Sequence, residues 1–250
     1  MTKKELFYQL ACDVSDCHLC ENMRVKPYSE KSEVLLNISQ GANAEEPFVN
    51  LWNLWQGNLD ADIMVIGQDF GHIDHNAVDS EIETFKKEWR SGKYKNYTDT
   101  HLRDLFKYAF DIDINQENTP LFFTNMANCY RKNSTTGGIH SGWLPVCANK
   151  FMGRLIDIIE PKFIITLGRN TFEAMACIDG ARLECTDYND EVEKDTFETI
   201  IKHTYNLQIK GKQIPIFPVF HPGANSNINR NYDMQLRDWK RIAKEMDYYK

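Results

Sequence analysis

The chain lacks any apolar run long enough to cross a bilayer; its longest are the size of a strand. It also lacks surplus positive charge. With 29 Lys and Arg against 36 Asp and Glu its net charge is −7, which excludes a surface coated in basic residues. A local basic groove is still allowed, because a few cations act over a short range whatever the overall balance. There is no low-complexity tract, no internal repeat and no Pro- or Ser-rich linker. The opening "MTKKELFYQLACD" carries two lysines but no apolar stretch of signal-peptide length. A cytoplasmic, monomeric protein is therefore expected, in which the sequons at Asn37, Asn96 and Asn133 carry no meaning. What is present suffices for a core: 42% hydrophobic and 12% aromatic residues among 250. With no linker in sight, one domain over 1–250 is the simplest reading.

Four segments read as strands buried on both faces: Asp62 to Gln68, Leu121 to Ala127, Phe163 to Gly168 and Ile214 to Phe220. Helical patterns lie between and after them. Leu102, Leu105, Phe106 and Ala109 recur at helical spacing with Thr98 or Asp99 as the cap. Phe151, Met152, Leu155, Ile156 and Ile159 do the same, with Pro161 at the stop, and a short helix is expected over Asn170 to Cys177. Leu236, Trp239, Ile242, Ala243 and Met246 mark a last helix. This alternation predicts an α/β fold, a three-layer α/β/α sandwich around a central, mainly parallel four-stranded sheet. The stretches 22–58 and 187–198 read as irregular excursions.

The first strand runs into "GQDFG" (67–71), a carboxylate between glycines at the strand end where α/β proteins place ligands. Seven cysteines are also present. Cys17 and Cys20 form a two-residue-spaced pair, Cys129 ends the second strand, and Cys147 opens a helix. Together they complete a four-thiolate set, which zinc and a [4Fe–4S] cluster accept equally; ordinary buried cysteines are the plain alternative. Cys12, Cys177 and Cys185 read as packing or surface residues. Basic clusters at Lys86, Lys87, Arg90, Lys93 and Lys95, at Arg131 and Lys132, and at Arg230, Arg237, Lys240 and Arg241 each read as a solvated face or a phosphate-binding patch.

Taken together, these features resemble the uracil-DNA glycosylase superfamily. "GQDFG" resembles its first-strand motif, GQDPYH in uracil-N-glycosylases and GEAPG in the iron–sulfur family. "FFTNMANCYRKN" (122–133) is similar to the iron–sulfur family's segment in which an asparagine precedes a cluster cysteine, and "HPGANS" (221–226) resembles the HPS motif. The resemblance spans Cys17 to about Arg230. It implies a DNA glycosylase of base excision repair that removes uracil or a related damaged base from single- or double-stranded DNA. It also implies a [4Fe–4S] cluster on Cys17, Cys20, Cys129 and Cys147, with zinc the lesser alternative.

The resemblance further implies roles. Asn125, offering a donor and an acceptor, would accept from uracil N3–H and donate to O4, a pattern cytosine reverses. His221 would stabilise the departing anion. Asp69, where the iron–sulfur family has alanine, would hold the water and favour positive charge on the sugar. Backbone amides at Gly67 and Gln68 would contact the base. With no clear counterpart of the family's PFVG stretch, Tyr97 or Phe70 would stack on it. Gly71 replaces the tyrosine that excludes thymine. Ile228 would act as a wedge, and Arg131, Lys132, Ser226 and Arg230 would contact DNA. A catalytically inactive nucleic-acid-binding protein of the same fold is the alternative.

Overall fold

The computed structural model describes residues 1–20, 35–36, 46–71, 78–131, 142–187, 196–223 and 226–248. The chain opens with helix α1 (Lys3–Ser15). The Thr2 hydroxyl accepts from the Glu5 amide while the Glu5 carboxylate accepts from the Thr2 amide, a reciprocal cap. The buried residues Phe7, Leu10, Ala11 and Val14 fall on one stripe of that helix. A two-residue strand β1 (Leu35–Leu36) and a one-turn helix α2 (Trp52–Trp55) precede β2 (Ile63–Gly67). There follow α3 (Val78–Ser91), α4 (Tyr97–Phe110), β3 (Leu121–Asn125) and β4 (Tyr130–Arg131), the last pairing with β1. Next, α5 (Trp143–Cys147) continues through a π-helical turn (Ala148–Met152) into α6 (Gly153–Ile159).

The second half contains β5 (Phe163–Leu167), α7 (Arg169–Ala174) with a 3-10 turn (Met175–Cys177), and β6 (Ala181–Cys185). It ends with α8 (Phe197–Ile200), β7 (Tyr205–Ile209), β8 (Lys212–Val219), α9 (Ser226–Asn229) and α10 (Tyr232–Tyr248). The helical run from Phe151 to Ile159 stops where Pro161 requires, with Glu160 in the left-handed region at φ 54°. The cap of α4 is Asn96, whose side chain accepts from the Thr98 amide, rather than Thr98 or Asp99. Asp99 is instead buried and accepts from Trp89 Nε1 at 3.3 Å; burial pushes its carboxyl up to about 6.

The sheet has six strands in the order β3-β2-β5-β8-β7-β6 rather than the four expected. The four expected strands are there, mutually parallel, and β7 and β6 extend the sheet antiparallel from β8. Lys210 and Gly211, at φ 48° and 79°, make the tight turn joining β7 to β8. Period two divides the core. Met64, Ile66 and Phe122 face α1, α5 and α6, with Phe7 set edge-on to Phe122 at 5.7 Å. Ile63, Val65 and Phe123 face α4 and α10, where Phe106 meets Trp239 edge-on at 5.0 Å. Each such side chain, fully buried, stabilises the fold by about 1.5–3 kcal/mol. The sheet is thus a rigid floor with helices on both faces. Among the described residues no helix is long and apolar enough to cross a membrane.

Candidate active site

The site is dictated by strand order. From β2 the chain moves out to β3, then crosses back over β2 to β5 and on to β8. The topology therefore reverses between β2 and β5, and a crevice opens at the carboxyl ends of those strands. Gly67, Gln68 and Asp69 leave β2 there, and Gly168 leaves β5 with φ 90°, a backbone state that glycine adopts without strain. Asn125 ends β3 in register with Gly67, on one side of the crevice. His221 follows β8 on the other side. Because strands lie about 4.8 Å apart, the ends of β2 and β8 are separated by about 10 Å, room for a planar base between them.

The loop after β2 is pinned. Met126 N–H donates to Gly67 O at 2.7 Å and Ala127 N–H to Gln68 O at 2.9 Å, so Asp69 projects half-buried from a fixed base. Across the crevice Asn170 donates to Gln68 Oε1 at 3.1 Å. Gly67 permits a close approach: a Cβ there would sit 2.3 Å from Asn125 Oδ1 and 2.9 Å from the Trp52 ring. Trp52, which sequence reasoning missed, thus packs on the same spot as the Asn125 amide.

Asn125 is 0% exposed, and neither its Nδ2 nor its Oδ1 has a hydrogen-bond partner; no other side chain among the described residues leaves both polar atoms over in this way. Its neighbours are satisfied. Asn50 donates to Thr124 Oγ1 at 2.8 Å and Asn128 Oδ1 at 3.1 Å, and Leu51 N–H donates to the Tyr130 hydroxyl at 2.6 Å. An unpaired buried polar group costs about 1–3 kcal/mol, so an amide left over in a well-bonded neighbourhood marks a place for a ligand.

His221 is held differently. Gly223 N–H donates to its Nδ1 at 3.0 Å, so the ring proton resides on Nε2. A Cβ at Gly223 would lie 2.8 Å from that nitrogen, so the glycine of "HPG" is what lets the backbone amide reach it. Burial pushes the imidazole down to about 4, keeping it neutral at pH 7. The loop is braced from α4, where His101 Nδ1–H donates to Pro222 O at 3.1 Å. Tyr97 is exposed and lies 4.1 Å from His101, centroid to centroid, at the rim. Phe70 is half-buried and packs edge-on to Phe85 at 5.2 Å and against Tyr130 at 5.6 Å, as part of the core wall.

The other expected DNA contacts are placed as follows. Ile228 is 86% exposed on α9, just beyond the His221 loop. Arg230 is nearly buried, its guanidinium paired in bidentate fashion with Asp238. That pair ties the loop to α10 and leaves the cation engaged by a carboxylate. Lys132 and the side chains of Arg131 and Ser226 lie outside the described residues. The cluster around Lys86 is cross-linked, Lys86 to Glu46 and Lys95 to Glu88, each at 2.8 Å.

Of the four cysteines, Cys17 and Cys20 follow α1, Cys147 closes α5, and Cys129 lies between β3 and β4. Cys20 and Cys147 are buried, which pushes their thiols up to about 11 and about 12. Cys17 and Cys20 act electrostatically on Cys147, so three of the thiols are neighbours. The Asn128 amide donates to the Cys147 sulfur, and Lys150 Nζ lies 4.0 Å from the Cys17 sulfur. A neutral thiol has little use for such donors; a metal-bound thiolate is stabilised by them, so the donor set fits a metal centre.

Fold and strand order together define an α/β protein with a crevice at the switch point of its sheet. Residues 54–245 match the Uracil DNA glycosylase superfamily, and the chain belongs to that family. Over 133 residues it is 29% identical to the type-4 uracil-DNA glycosylase of Sulfurisphaera tokodaii, a match covering 51% of this chain and 53% of that protein. The chain thus spans about half the length of this curated relative.

Proposed function

We propose that the protein is a monofunctional DNA glycosylase that hydrolyses the N-glycosidic bond of uracil, or a closely related damaged base, in DNA. The observation that carries this reading is the buried Asn125 amide, both polar atoms unpartnered, at the end of β3 in register with Gly67. A base within a duplex is out of reach, so the nucleotide is extruded at a cost of a few kcal/mol. Asn125 reads the N3–H and O4 edge. Water adds to the sugar carbon and gives its proton to Asp69, while the bond to the base nitrogen breaks and its electron pair leaves with the base. His221 Nε2–H donates to O2, where that charge accumulates. Tyr97 at the rim and Phe70 on the wall are the aromatic surfaces offered to the base. Gly71, at φ 94°, holds a turn that disfavours any side chain, so discrimination against thymine falls to other groups.

The test is base release from uracil-containing single- and double-stranded oligonucleotides, with hypoxanthine and 5-substituted uracils as competitors. Uracil release is expected. DNA binding without release from any substrate would instead mark a catalytically silent DNA-binding member of the family. Ile228→Ala should lower release from duplex by about tenfold, the cost of holding the vacated stack open, and leave single-stranded substrate unaffected.

Cys17, Cys20, Cys129 and Cys147 would hold a [4Fe–4S] cluster. When bound, the cluster would tie the N-terminal segment covalently to the centre of the chain. Residues 1–250 then act as one glycosylase domain. Freshly purified protein is expected to be brown, with broad absorbance near ~400 nm that Cys147→Ser abolishes. Colourless protein containing zinc would replace the cofactor and leave the catalytic reading standing.

A further inference from the structure

We propose that Cys185, Asp187 and His203 form a surface zinc site at the open end of the β6–β7 ribbon, independent of the glycosylase reading. The two strands pair Cys185 with Tyr205, and the ladder continues beyond the regular strands: Thr186 N–H donates to Thr204 O at 2.9 Å. The next pair outward is Asp187 opposite His203. Side chains alternate along a strand and opposed residues share a face, so Cys185, Asp187 and His203 project on the same side.

Their ligand atoms all lie within 4.8 Å of one another, and no other group of three His, Cys, Asp or Glu among the described residues does this. Cys185 Sγ and His203 Nδ1 each lie 3.4 Å from Asp187 Oδ1. A zinc ion bonded at about 2.3 Å to sulfur and about 2.0–2.2 Å to nitrogen and oxygen spaces its tetrahedral ligands by about 3.3–3.6 Å. Two edges of that tetrahedron are therefore already in place. Asp187 Oδ1 is fixed by the Thr204 amide at 3.1 Å, an orienting bond of the kind that supports metal ligands.

The donor set selects the metal. Thiolate and imidazole favour zinc over magnesium or calcium, which prefer oxygen. On binding, Cys185 releases its proton to solvent, and the thiolate and carboxylate together balance the charge of the dication. Water fills the fourth position, since the exposed side of the cluster faces solvent. β6 is the edge strand, at the opposite end of the sheet from β3, which leads to Cys129. The ion would clip this end of the ribbon and is distinct from the four-cysteine centre.

The experiment uses the full chain with its four-cysteine centre intact. Zinc is titrated by calorimetry, and the loaded protein is measured by X-ray absorption at the zinc edge, where iron does not contribute. One equivalent is expected, with a mixed shell of one sulfur and three nitrogen or oxygen atoms. Cys185→Ser and His203→Ala should each weaken binding by about a hundredfold. Cys185 is exposed, and neither residue belongs to the hydrophobic core, so circular dichroism and base release should match wild type. An all-sulfur shell, an affinity unchanged in both variants, or no binding at all would overturn the proposal.

Discussion

Asp69→Asn is expected to slow uracil release by about 10²- to 10⁴-fold, the range over which a positioned general base acts. Asparagine keeps the shape of the side chain and its place on the loop that the amides of Met126 and Ala127 pin to Gly67 and Gln68. What disappears is the acceptor for the water's proton and the negative charge that favours a cationic sugar. Binding should move the other way or not at all, since a carboxylate near DNA repels phosphates and its removal relieves that repulsion. Single-turnover rates on a single-stranded uracil substrate, set beside affinities from fluorescence anisotropy, separate the two effects. A rate loss below about tenfold would mean that another group handles the water. Asp69→Asn combined with His221→Ala should cost less than the product of the separate losses, because groups acting on one transition state are not additive.

The parallel half of the fold was legible because its strands are buried on both faces. Ile63 to Ile66 is an unbroken apolar run and Phe163 to Leu167 is interrupted only by Thr166, the pattern of strands covered on both faces in a parallel sheet. β6 and β7 were illegible for the complementary reason. "ARLEC" lies half-exposed on the edge strand, and "YNLQI" beside it alternates polar with apolar residues, so neither makes an apolar run. The candidate site was legible as strand ends, so Asp69, Asn125 and His221 could be singled out as candidates from the residues alone. Their supports could not. Trp52 meets Gly67 across a separation of fifteen residues with no periodic signal, and Gly223 matters through its backbone amide, which no residue pattern records. Arg230 shows the reverse limit. A cation beside a motif looks free to take a phosphate until the fold sets Asp238 against it.

His221→Ala should lower uracil release by about 10²- to 10³-fold, the loss seen when one donor to a developing anion is removed. The sharper expectation concerns pH. An ordinary histidine titrates near 6.5, whereas burial holds His221 down at about 4. Between pH 8 and 5 the ring stays neutral in the folded protein, and its contribution to the rate should not change through 6.5. Stability carries the opposite mark. Below about pH 6.5 the unfolded chain takes up a proton that the folded ring refuses until about 4, so stability is lost across that window as pH falls. His221→Ala should remove that part of the loss. Nitrogen-15 NMR of the imidazole reads the cause directly: a neutral ring with its proton on Nε2, because Nδ1 accepts from Gly223 N–H. A proton on Nδ1, or a ring that titrates near 6.5, would mean that His221 cannot serve as the neutral donor to uracil O2.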